Sequence, residues 1–259
     1  MQKNKKIDDL TSEITGIWSS YMNDTAAICI LRYYLNTVDD KDIKSILKNY
    51  LNIAQQHVKK LKVFFERTNL PIPAGFKDDD YDLNAPKLFK DPFILYHMGY
   101  MVNFGMNAYS TILNYTLNKD LRNYFSGCIK ETIELYDNTI ETLMSKGIAI
   151  HAPKLEISKT VSFINSKDNF ISGWLQPRRP LLTLEVTNVF HQILTGTIWR
   201  TLLMGFGQVA KTKKVRDYMY KGKDTTAKNY EDYSTKLSNE DIPIPSVQDS
   251  FLTDSTTSP

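Results

Sequence analysis

Apolar residues recur in steps of four and three along two long stretches near the start of the chain. Over Asp8–Asn36 they fall at Leu10, Ile14, Ile17, Tyr21, Ile28, Leu31 and Leu35, and Asp24 takes one position of the same line. Such spacing puts side chains on one stripe of an α-helix. Asp39-Asp40-Lys41-Asp42 opens a second helix, with acids at the end where the helix dipole favours them. Its stripe runs Ile43, Leu47, Tyr50, Ala54, His57, Leu61 and Phe64, again with one polar member, and Asn69 with Pro71 and Pro73 ends it. Ala74–Lys90 has no period, and so long a link between helices predicts a crossover along a bundle. Asp91-Pro92 reads as an N-cap followed by proline at the first position of a third helix. That helix is free of Asp, Glu, Lys and Arg from Pro92 to Asn118, with Tyr96, Tyr100, Asn103, Asn107, Ser110 and Asn114 on one stripe. A fourth helix, Lys119–Ser145, is predicted to turn Phe125, Ile129, Ile133, Tyr136, Ile140 and Leu143 inward, which leaves Glu131 and Glu134 off the inward line.

The first hairpin is written twice. Glu13-Ile14-Thr15-Gly16-Ile17-Trp18 falls without a gap on Glu185-Val186-Thr187-Asn188-Val189-Phe190, and Pro71-Ile72-Pro73 falls on Pro243-Ile244-Pro245. Identities are few, but they sit at both ends and the apolar pattern agrees between them, as in a duplicated unit. The predicted architecture is all-α: a ferritin-like four-helix bundle over 1–148, a packed linker over 149–180, a two-helix half of a second bundle over 181–245 and a disordered tail over 246–259. The second hairpin carries an apolar seam, including Val189, Ile193, Leu203 and Phe206, which two helices alone cannot bury. It is therefore expected to lie against the first bundle or to pair with another chain.

Composition narrows the classes. At 259 residues, 42% hydrophobic and 24% charged, the chain suits a soluble globular protein with a sizeable core. The net charge of +3 is too small to point to nucleic acid, and all of the excess lies beyond residue 150, where 14 basic residues face 11 acidic ones. Cys29 and Cys128 have no metal or redox spacing and read as buried free thiols. The charged N-terminus leads into no apolar segment, so a cytoplasmic location is expected. The uncharged third helix is long enough to span a bilayer, but its asparagines argue against insertion.

Candidate chemistry centres on Asp24 and His57. Side chains lean toward the N-terminus of their own helix, so on antiparallel helices these two lean toward each other. They could satisfy one another in the core or share a metal. A di-metal centre of the bundle type needs carboxylates from all four helices and Glu-x-x-His on two of them. Here the position three before His57 is Ala54, the third helix has no acid, and the second copy has Gly196 and Asn229 at the matching positions. A self-satisfied polar pair is the favoured reading, with no cofactor and no catalytic residue assigned. His97 and His191, on the uncharged helices, are expected to be buried hydrogen-bonders. Lys211, Lys213, Lys214, Arg216, Lys221 and Lys223 make a basic run read first as a solvated face and second as a dock for an anionic surface, and no aromatic groove accompanies it to suit nucleic acid.

Ile17-Trp18-Ser19-Ser20-Tyr21-Met22-Asn23-Asp24, Leu70-Pro71-Ile72-Pro73-Ala74-Gly75-Phe76, Asn84-Ala85-Pro86-Lys87-Leu88-Phe89, Arg178-Arg179-Pro180-Leu181 and Gly205-Phe206-Gly207-Gln208-Val209-Ala210-Lys211 follow one another in order along the chain. Together they resemble a family of spore-forming Firmicutes that carries a domain of unknown function. The resemblance implies tandem four-helix bundles similar to spore-coat protein F and, more remotely, to ferritin-like bundles. It further implies two more helices after the second hairpin, which this chain lacks. The expected function is that of a non-enzymatic structural or interaction protein, coat-like and spore-associated. Its expected partner is a second copy or another coat-like protein, held through the second hairpin. The alternative is a degenerate ferritin-like metal-binding or oxidoreductase protein using Asp24 and His57.

Overall fold

The structure is a computed structural model that describes residues 11–156, 159–160 and 180–256. Among these, six helices account for the regular structure: α1 Thr11–Thr37, α2 Lys41–Arg67, α3 Asp91–Tyr115, α4 Lys119–Ser145, α5 Thr183–Val209 and α6 Lys213–Ser238. They come as paired hairpins, and the chain divides into two compact units. The first takes the chain to Ala149 together with Gln208–Lys213 and the stretch from Ser250; the second holds Ile150–Gly207 and Lys214–Asp249.

In the first unit the local sequence sets the helix ends. Asp40 caps α2 by accepting from the backbone N–H groups of Asp42 and Ile43, and Asn118 caps α4 by accepting from Asp120 and Leu121. Asn69 and Gly147, at φ 57° and 66°, take the left-handed conformation that closes a helix. Asp91 departs from its expected role. The cap position of α3 is Lys90, and the Asp91 carboxylate accepts instead from the N–H groups of Asp39 and Asp40, tying the α1–α2 turn to the start of α3. At the other end of the bundle Glu13 is buried. Its Oε1 accepts from Leu117 and Asn118, each at 2.7 Å, and so fixes the α3–α4 turn against α1.

The α2–α3 connection is a crossover, as its length predicts. It follows α1 from Tyr21 to Asn36, with Gly75 against Tyr21 and Thr25, the Asp78 carboxylate on Arg32, and Pro86 and Leu88 both bonded to the Tyr33 hydroxyl. Gly75 has φ 61°, and a Cβ there would stand 2.9 Å from the Tyr21 ring, so both conformation and space require glycine. Ile17, Tyr21, Leu61, Phe64, Phe65, Leu121, Tyr124, Phe125 and Cys128 form one core cluster of this unit.

Two expectations change. On α4 Phe125 and Leu143 are buried as predicted, but between them the buried line is Cys128, Thr132, Leu135 and Thr139, one position from the predicted Ile129, Ile133, Tyr136 and Ile140, and Ile133 is 43% exposed. Threonines can occupy the core because the hydroxyls of Thr132 and Thr139 donate to the carbonyls of Cys128 and Leu135 one turn back. The stretch from 246, expected to be a disordered tail, carries a 310 turn over Asp249–Phe251 and an antiparallel bridge between Leu252 and Phe89. The N–H of Lys90 donates to Phe251 O and that of Thr253 to Leu88 O, which satisfies the backbone of the crossover's last residues.

In the second unit Val186, Phe190, Ile193 and Leu237 form the buried cluster, and Ile150, Leu155, Leu181, Ile242 and Ile244 pack on it. Two-helix geometry over the second copy is as predicted. Most of the expected packed linker, 149–180, lies outside the described residues.

Candidate functional site

One cross-section of the first unit gathers polar side chains from all four helices. Asp24 comes from α1, His57 from α2, Tyr109 from α3, and Tyr124, Cys128 and Glu131 from α4. Asp24 and His57 do meet, as their opposed lean predicts: His57 Nδ1 lies 3.5 Å from Asp24 Oδ2, and both side chains are buried. The other ring nitrogen, Nε2, lies 2.6 Å from Glu131 Oε2. Tyr109 donates its hydroxyl toward Asp24 Oδ1 at 3.4 Å and packs edge-on against the His57 ring, as does Tyr124.

Burial raises the Asp24 carboxyl above the ordinary carboxylate range, while hydrogen bonding and charge from His57 pull it down. For His57 burial works against protonation, but hydrogen bonds to Asp24 and Cys128 outweigh it and lift the imidazole to about 11. The ring is held between the carboxyl groups of Asp24 and Glu131. The Asp24 Oδ2 contact with His57 is long at 3.5 Å, and the polar neighbour of the Tyr124 hydroxyl is Cys128, one turn along α4.

The sequence placed Glu131 off the inward line and read Cys128 as a buried free thiol. Cys128 is buried and free as expected, whereas Glu131 turns toward the core and meets His57. Cys128 and Glu131 are three residues apart and so share one face of α4, and His57 Nε2 points to that face. The ligand-capable atoms of His57, Cys128 and Glu131 all lie within 4.8 Å of one another. A Cys-x-x-Glu pair was visible in the sequence, but the isoleucine line one position away masked its register.

The remaining candidates separate. His97 is buried, with its Nδ1 2.7 Å from the Tyr34 hydroxyl, as expected. His191 is exposed, contrary to expectation, because α5 turns Phe190 and Ile193 inward instead. The second copy has no counterpart of the cluster: Asn229 is exposed and Gly196 offers no side chain. Lys211, Lys213, Lys214, Arg216 and Lys221 are all exposed. No described helix is long and apolar enough to cross a membrane.

Paired helical hairpins with a polar cross-section and no strand among the described residues define a helical-bundle protein. The chain belongs to the family described as Protein of unknown function (DUF3231), which it matches over residues 1–161 and 169–259. No curated protein matches it. Among solved structures it is similar to a Bacillus halodurans protein described provisionally as a spore coat protein. The two are 20% identical with a TM-score of 0.51 over 56% of this chain and 94% of the other, a likeness of fold.

Proposed function

We propose that the protein is a non-enzymatic assembly component, a spore-coat-like bundle protein that joins a second copy of itself through the α5–α6 hairpin. The observation that carries this is the contrast between two copies of one pattern. In the first unit the α1–α2 hairpin is covered by α3 and α4, and Glu13 spends its carboxylate on the turn between them. In the second unit the matching glutamate, Glu185, accepts from Leu182 N–H at the start of its own helix. Its hairpin leaves Leu184 70% and Tyr218 74% exposed. Large apolar side chains in water on a hairpin of this kind suit pairing with the same hairpin of another chain, which rebuilds four helices. The fold likeness to a protein described as a coat protein supports the setting.

Sedimentation velocity at micromolar concentration tests the reading. The expected result is a dimer or larger species that dissociates in Leu184→Glu with Tyr218→Glu while helicity is kept. A compact monomer that binds no apolar dye would overturn it.

A further inference from the structure

The polar cross-section of the first unit holds more donors than its own hydrogen bonds use, and their types are those of a transition-metal site. Cys128 and Glu131 project from one face of α4, and His57 Nε2 approaches that face from α2. Behind the ring, Asp24 stands at Nδ1. This is the arrangement in which a carboxylate fixes the tautomer and direction of a metal-bound histidine. We propose that His57, Cys128 and Glu131 bind one zinc ion, with Asp24 as the residue that positions the imidazole. The proposal is independent of the assembly reading.

The donor set selects the ion. One imidazole nitrogen, one sulfur and one carboxylate oxygen suit zinc, while magnesium and calcium prefer all-oxygen shells. Tetrahedral zinc with ordinary bond lengths keeps its ligand atoms about 3.4–3.6 Å apart. The three atoms already converge within 4.8 Å, so the side chains need shift by only about an ångström to close on an ion. The 2.6 Å contact between His57 and Glu131 is then replaced by two bonds to the metal, and the proton on Nε2 leaves to solvent. The thiol proton of Cys128 leaves likewise, so charge balances as two protons exchange for one divalent ion.

Two further observations fit the site. The Glu131 side chain is 33% exposed, while Cys128 and His57 are buried, so an ion has a way in from one side. The buried Tyr124 hydroxyl stands beside Cys128 and supplies a polar neighbour to that ligand. Lys60, 3.9 Å from Glu131 Oε1, remains an outer partner of that carboxylate.

The test uses the full chain stripped of metal, with cobalt(II) as a spectroscopic stand-in and zinc as competitor. The expected result is one ion per chain by elemental analysis after dialysis. Cobalt should give a thiolate charge-transfer band in the near ultraviolet together with visible bands of four-coordinate geometry, and zinc should abolish both. Cys128→Ser should lose the charge-transfer band, and Cys29→Ser should keep it. Asp24→Asn should keep the stoichiometry and the band but bind roughly 10–100-fold more weakly, the mark of a positioning residue. Failure of the folded wild-type chain to retain zinc would overturn the proposal. Cobalt binding without a thiolate band, or with a band that survives Cys128→Ser, would do the same. Should Cys128→Ser fail to fold, alkylation of Cys128 in the wild type decides: zinc should slow it, and an unchanged rate counts against the site.

Discussion

Replacing Glu13 by alanine tests the anchor that holds the α3–α4 turn against α1. The residue is 2% exposed, and both of its bonds, to Leu117 N–H and Asn118 N–H at 2.7 Å, fall on the same oxygen. Both donors lie at the start of α4, where a negative charge also meets the positive end of the helix dipole. Alanine leaves two backbone donors unpaired, each costing about 1–3 kcal/mol where water cannot replace the carboxylate. Leu117 lies at an exposed turn, so one donor regains water, and the expected loss is about 2–4 kcal/mol. At about 2–4 °C per kcal/mol for a chain of this size, the melting temperature of the first unit should fall by roughly 4–16 °C. Glutamine is the informative comparison, because its amide oxygen can occupy the position of Oε1 and accept both bonds. It removes only the charge, at about 1 kcal/mol or less. Glu185→Ala, which removes the bond from Leu182 N–H, should cost about 1 kcal/mol. Urea denaturation followed by circular dichroism measures all three. An alanine variant within about 1 kcal/mol of wild type, or a glutamine variant as damaged as alanine, would refute the anchoring argument.

Other consequences are open to the same instruments. Burial lowers His97 from 6.5 to about 4. A base whose folded value is depressed contributes stability above pH 6.5 and loses it as pH falls toward 4, up to about 3 kcal/mol. Urea midpoints taken from pH 7 to 4 should show that loss in the wild type and lack it in His97→Gln. Gly75→Ala should cost roughly 1–3 kcal/mol, since φ 61° and the 2.9 Å approach to Tyr21 both disfavour a Cβ; an unchanged midpoint would show that the crossover is not held as described. Ile133→Gln should stay within about 0.5 kcal/mol of wild type, whereas a core isoleucine would lose several times that.

The helices, their order and the crossover were legible in the sequence because each rests on a strong local signal. Asp40 and Asn118 cap, Asn69 and Gly147 terminate, and the α1 and α2 stripes are apolar enough to show their phase. The meeting of Asp24 with His57 was legible too, since one polar residue on each stripe leaves little choice of partner. The phase of α4 was not. Threonines that bond their own backbone can be buried, and the isoleucines beside them are only partly so; apolarity alone therefore points one residue away. Glu131 was lost with that phase, and with it the pairing with Cys128, whose burial as a free thiol had been read. The role of Asp91 was hidden for another reason: a carboxylate before a proline looks like a cap, and only the folded turn shows Asp39 and Asp40 as the nearer donors. The strand-like bridge to Leu252 joins residues too far apart in sequence for any local pattern to announce it.

That bridge bears on the order in which the protein can be made. Thr253 Oγ1 donates to Lys87 O across 166 positions, and the Lys90 ammonium donates to Ser250 O across 160. The helices of the first bundle leave the ribosome early and can associate through neighbouring contacts, but the end of their crossover must wait for residues 250–253, made long afterwards. The whole second hairpin is therefore threaded between the opening and the closing of a single cooperative unit. A nascent chain arrested at residue 200 should hold its four helices while leaving the backbone at residues 88–90 open to solvent, and to proteases, until residues 250–253 have been added.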